Sequence, residues 1–200
     1  MRAAGRRPAP QRVNPFARLA ASPSHRLAKA EYDREVEHAL MTGRAPIWKL
    51  ERAQSFLEPD VASWRAMRAG DWRLALSLID DMRDGLAELY ERIPPVHRVR
   101  VVERPLTPYV CWEMHVLCAR EAAGEHVRVV PADRVRHLDP LPEVLILSAR
   151  RLYVIGYDEC GAHLGGCRHT DPTLVRACER AVSELFACGE PLGEWFAREL

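Results

Sequence analysis

Apolar residues recur at helical spacing at Leu27, Ala30, Tyr32, Val36, Ala39 and Leu40, which predicts a helix capped by Ser24, running through Met41 and followed by Gly43. Ile47, Trp48 and Leu50, after Pro46, make a short apolar stretch that reads as an edge strand or an extended strap. Pro59 opens a helix near 59–69, and Gly70 closes it. A third helix starts at Asp71 as N-cap and runs to about Arg92. It carries Leu74, Leu78, Met82, Leu86 and Leu89 down one stripe, and Pro94 and Pro95 end it.

Val96, Val99, Val101 and Val102, with Arg98 and Arg100 interposed, have the β-branched content and near-alternation of a strand half covered by helices. Thr107 and Pro108 then suit the cap and first turn of a helix ending at Gly124. A strand follows from Val127 to Val130. After a proline-rich connection, Val144 to Leu147 and Leu152 to Tyr157 flank the polar Ser148-Ala149-Arg150 as a hairpin, and Ala162 to Arg168 can continue the meander. Asp171-Pro172 start a long helix with Leu174, Val175, Cys178, Val182, Leu185 and Phe186 inward, and a short helix follows Pro191. The order predicts an α/β fold: a mixed β-sheet with packed helices. It divides the chain into a basic tail (1–23), an accessory N-terminal helix (24–43) and an α/β domain (46–199).

Charge changes the picture at the N-terminus. Residues 1–30 hold seven basic side chains and no acid, leaving 22 basic and 28 acidic residues in the rest of the chain. Pro8, Pro10, Pro15 and Pro23 interrupt any helix there, so 1–23 read as a disordered extension. Such an arm could neutralise nucleic-acid phosphates. It lacks interleaved aromatic residues for base stacking and a companion basic helix, however, and the acidic body disfavours a broad nucleic-acid-binding face. The chain has no apolar run of membrane-spanning length and no signal-peptide pattern. Its six cysteines lack paired short spacings. A cytoplasmic protein with reduced thiols and no membrane contact is expected.

The run Arg98 to Tyr109, continuing to Glu113, with Gly124-Glu125-His126 to Val130 after it, resembles the actinobacterial domain-of-unknown-function 6879 family. The likeness spans about 46–199 and includes the Leu152 to Tyr157 strand, the Gly161 to Gly165 turn region and the Asp171-Pro172 helix. It implies a small bacterial protein encoded near helix-turn-helix regulators, with no established activity. The hairpin departs from the family pattern: Ser148-Ala149-Arg150-Arg151 stands where an acidic pair is expected. More distantly, the element order is similar to half of a phospholipase D-like domain. That chemistry needs a His nucleophile two residues before a Lys, and neither Lys29 nor Lys49 has one. The resemblance implies a degenerate scaffold, which assigns no ligand by itself.

Cys111, His115 and Cys118 lie along one helical stripe, a spacing that can present zinc ligands, but they border an apolar arc where thiols pack as small hydrophobes. His163, Cys167 and His169 would share one strand face by period two, with Cys160 nearby, yet they match no standard zinc register. No metal or cofactor is therefore assigned, and no residue is nominated as catalytic. The candidate ligand site is Tyr109 and Glu113 at the C-terminal edge of the valine-rich strand, with Arg100 or Arg104 pairing Glu113 or taking an anion. The expected function is a non-catalytic module recognising a small-molecule ligand or a protein partner, associated with a helix-turn-helix regulator. The alternatives are a metal- or carboxylate-dependent hydrolase or transferase, and nucleic-acid association through the basic arm.

Overall fold

The computed structural model describes residues 14–200. Three parallel strands form the centre of one eight-stranded sheet: β2 (Ile47–Glu51), β3 (Val96–Val102) and β4 (His126–Pro131). Antiparallel β5 (Val144–Ser148), β6 (Arg151–Tyr157), β7 (His163–His169) and β1 (His25–Ala28) extend it beside β2, and the two-residue β8 (Glu190–Pro191) borders β4. The mixed sheet with packed helices matches the α/β expectation, and β3 is an interior strand with both neighbours parallel.

Between β2 and β3 the chain forms α2 (Ala62–Arg68), α3 (Trp72–Asp80) and α4 (Arg83–Arg92), and between β3 and β4 it forms α5 (Pro108–Ala122). These helices and α7 (Leu192–Glu199) cover one face of the sheet, and α1 (Lys29–Thr42) lies over β5–β7 on that same face. The long α6 (Pro172–Cys188) covers the opposite face, against Leu50, Val99, Val101, Val144 and Ile146. Thr107 caps α5 by accepting from the Val110 N–H at 3.1 Å, and Asp171 caps α6 by accepting from the Thr173 N–H at 2.8 Å, as their sequence positions predict.

Several boundaries differ from the sequence reading. The helix expected from Ser24 begins at Lys29, because residues 25–28 pair antiparallel with β7 and the Glu31 carboxylate accepts from the Ala28 N–H at 3.1 Å. The stretch after Pro46 is an internal strand, β2, held on both sides by β3 and β5. The helix expected from Asp71 to Arg92 is two helices, broken around Asp81-Met82. The break leaves the expected leucine stripe buried only in its middle, with Leu86 buried and Leu78 and Met82 packed partly buried on the core. Leu74 and Leu89 at its ends are 48% and 38% exposed, and Ala75 and Ile79 join the core instead.

The described part of the expected tail is also packed. Phe16 and Leu19 are buried against the α6 face, and the Asn14 side chain donates to the Leu138 carbonyl at 2.6 Å. Two apolar side chains anchor a segment whose prolines only forbid a long helix. The expectation for residues 1–13 lies outside the described residues.

One glycine shapes the cleft side of the sheet. Gly165 has φ +106°, and a Cβ there would lie 2.3 Å from the Leu27 carbonyl oxygen. Around it the β6–β7 register shifts, passing from Gly156 opposite Gly165 to Tyr157 opposite His163.

Candidate functional site

Strand alternation places Lys49 and Glu51 of β2 and Arg98 and Arg100 of β3 on the face covered by α5. Lys49 stands opposite Arg98 and Glu51 opposite Arg100. Four ionisable side chains thus meet at the middle of the sheet. Arg98 and Arg100 are buried, and the strand expected to be half covered by helices is covered on both faces.

The charges are paired. Arg98 donates from Nε to Glu125 at 2.6 Å and from Nη1 to Glu51 at 2.5 Å, and Lys49 Nζ lies 2.6 Å from the other Glu51 oxygen. Tyr90 donates to Glu125, and Arg120 donates to the Tyr90 hydroxyl oxygen at 3.3 Å. Arg100 donates from Nε to Glu113 at 2.7 Å and to the Val101 and Ala53 carbonyls at 2.8 and 2.7 Å.

Above this layer, between α1 and α5, opens a cleft of about 310 Å³ with Lys49, Glu51, Arg98 and Glu113 among the residues lining it. Its walls are aromatic. Tyr32 comes from α1, Phe56 from the segment after β2, Tyr109 and Trp112 from α5, and Tyr157 and His163 from β6 and β7. Phe56 meets Tyr109 edge-on at 5.6 Å, and Tyr32 meets His163 edge-on at 4.9 Å. The Tyr109 hydroxyl donates to Glu58. The Trp112 indole Nε1, which is buried, has no hydrogen-bond partner among the described residues.

The two cleft carboxyls are driven apart in acidity. Burial opposes ionisation of Glu51, but Arg98, Lys49 and Arg100 outweigh it and hold its pKa well below the carboxylate range. Burial pushes Glu113 up to about 7, against the pull of Arg100 and with the Glu51 charge adding to the rise. Burial, reinforced by Glu113 and Glu58, raises the Tyr109 phenol, which stays protonated. The cleft therefore offers a fixed carboxylate, a carboxyl that titrates near neutrality, three cations (Lys49, Arg98 and Arg120), three phenols and the Trp112 indole.

Of the residues expected at the site, Arg100, Tyr109 and Glu113 come together, with Arg100 pairing Glu113. Arg104 does not join them. It is 62% exposed and pairs with Glu199 of α7, because it lies beyond the end of β3 and outside the cleft. Lys49, Glu51, Arg98, Tyr157 and His163 were not singled out for the site. The available signal was a pair of charges two residues apart inside each of two apolar strands, Lys49/Glu51 and Arg98/Arg100.

Neither thiol–imidazole cluster converges. The β7 bulge turns His163 to the cleft, while Cys167 and His169 stand opposite Val154 and Leu152 on the other face, so the expected shared face does not form. On α5, His115 packs edge-on against Phe196 at 4.9 Å, and burial raises the thiols of Cys111 and Cys118, the latter to about 11. Among the described residues, no group of three His, Cys, Asp or Glu side chains is placed to hold a metal ion. Among them, too, no helix is long and apolar enough to cross a membrane.

Compared with known families, residues 34–197 match the model described as "Domain of unknown function (DUF6879)". The match begins inside α1, earlier than the residue 46 expected from the sequence resemblance. No curated protein matches the chain.

Proposed function

The chain belongs to the domain-of-unknown-function 6879 family, and we propose that it is a non-catalytic recognition module that binds a small polar molecule in the cleft between α1 and α5. The observation that carries this reading is the buried set Glu51, Arg98, Glu125, Arg100 and Glu113 beneath that cleft. Buried ion pairs contribute little net stability compared with apolar residues of similar volume, because desolvation offsets their attraction. Their concentration at a concave, aromatic-walled surface fits ligand recognition. Fixed charges give polarity and orientation, and the aromatic walls give contact area for a flat or apolar part of the ligand.

The same reading makes the module a cytoplasmic, degenerate phospholipase D-like scaffold of actinobacterial type that works alongside a helix-turn-helix regulator. Native mass spectrometry of the full chain tests it, followed by thermal shift with any co-purified molecule. The expected result is a bound small molecule that raises the unfolding midpoint in the wild type and does so less in Tyr157→Phe and Lys49→Met. Turnover of ester or phosphodiester substrates that Glu113→Gln abolishes without unfolding would overturn it.

That outcome belongs to a second reading, a carboxylate-dependent hydrolase or transferase. It is favoured by the divergence between Glu113, raised to about 7, and Glu51, held ionised, the separation expected of a proton donor and a charged partner.

A further inference from the structure

A second concavity lies away from the aromatic cleft, at the carboxyl ends of the parallel strands. The chain leaves β2 through residues 52–61 toward the α5 face, where Phe56 and Val61 pack. It leaves β4 through residues 132–143 across the α6 face, where Val135 and Leu141 pack, before returning as β5 beside β2. β2 and β5 are neighbours, so the segment leaving β2 on one face and the segment entering β5 from the other part at this end of the sheet and leave a crevice between them. Arg52, Ala53, Gln54, Glu103, Leu141 and Glu143 line a cavity of about 350 Å³ there.

The hydrogen bonding of this cavity is incomplete in a specific way. Glu143 is 8% exposed, and its Oε1 accepts from the Arg52 and Ala53 N–H groups at 2.6 and 2.5 Å. Its Oε2 is buried with no partner, and so is Arg52 Nε. Arg52 Nη2 stands 3.5 Å from Glu103 and 3.6 Å from Asp139, beyond good hydrogen-bond distance. Gln54 is fully engaged, donating to the Arg52 and Val101 carbonyls and accepting from the Glu103 N–H. What remains open is one acceptor on an acidic group and one donor on a cation, each costly to leave unmade.

We infer that this crevice is a binding site for a small zwitterion of amino-acid type, whose ammonium meets Glu143 and whose carboxylate meets Arg52. A ligand carrying both charges completes both orphan groups at once. The volume is at the small end of ligand pockets, which suits such a molecule. The inference stands apart from the reading of the aromatic cleft and uses none of its residues.

The test is titration of the isotope-labelled full chain with each of the twenty protein amino acids, following the backbone amide resonances of Arg52 and Ala53. At least one amino acid should shift both saturably. Its N-acetyl and methyl-ester forms, each lacking one charge, should bind about tenfold more weakly. Glu143→Gln keeps an oxygen for the two amides but replaces the open acceptor with a donor, and should weaken binding by a similar factor. Arg52→Gln should produce the same loss through the carboxylate, and serves if Glu143→Gln does not fold. No saturable shift with any amino acid, equal binding of the blocked forms, or shifts at Lys49 and Tyr157 in place of Arg52 and Ala53 would overturn the inference.

Discussion

The two faces of β2 and β3 are made by alternate residues of the same strands and have opposite chemistry. Toward α6 they present Leu50, Val99 and Val101, all buried in an apolar cluster. Toward α5 they present Lys49, Glu51, Arg98 and Arg100, joined to Glu113 and Glu125 by ion pairs. Apart from His97, which stacks on Trp48 at its end, the α6 face follows from the hydrophobic effect, since each buried valine or leucine side chain contributes about 1.5–3 kcal/mol. The α5 face is costly to bury and must be complete to be tolerated, so losing one member should harm it more than losing an apolar neighbour harms the other face.

Arg98→Ala breaks that comparison most sharply. It leaves Glu51 and Glu125 facing each other's layer without their shared cation, and should destabilise by about 3–5 kcal/mol in urea unfolding. Val99→Ala, one residue along and on the dry face, should cost about 1–3 kcal/mol by cavity formation. Near-equal losses for the two variants would remove the distinction between the faces.

Glu113→Gln sharpens the comparison through pH. With its folded pKa at about 7 and its ordinary value at 4.5, Glu113 keeps a proton in the folded state that the unfolded chain has released. Its contribution therefore falls as pH rises from about 4.5 to about 7, and Gln, which cannot titrate, should flatten that decline. Glu51 has the opposite sign, its stabilisation being present above 4.5 and lost on acidification. Unfolding midpoints of wild type and Glu113→Gln across this range, if parallel, would refute the assignment. The smallest effect is expected for Arg104→Ala, which should change neither the unfolding midpoint nor ligand-dependent stabilisation, since Arg104 lies outside the charged layer.

The elements that carry the two faces were mostly legible in the sequence. The β-branched run 96–102, the Thr107-Pro108 start of α5 and the Asp171-Pro172 start of α6 are local signals, and all appear where expected. Arg100, Tyr109 and Glu113 were legible as a group because they fall on one strand and the helix that follows it. Lys49 and Glu51 were not, because β2 meets β3 only through a long crossover, and a five-residue strand does not announce whether it lies at an edge or in the centre. His163 was misread for a different reason: period-two arithmetic fails across a bulge, and only the pairing with β6 reveals that Leu164 is skipped.

The central claim is that the charged layer serves recognition and is not required for the fold. Its most direct test is replacement of the Arg98 triad at the heart of the layer, with Glu51→Leu, Arg98→Met and Glu125→Leu combined in one chain and urea unfolding measured beside wild type. The account predicts a folded protein with a midpoint as high as wild type or higher, and loss of stabilisation by the cleft ligand. A triple variant that fails to fold, or that unfolds at markedly lower urea, would contradict it.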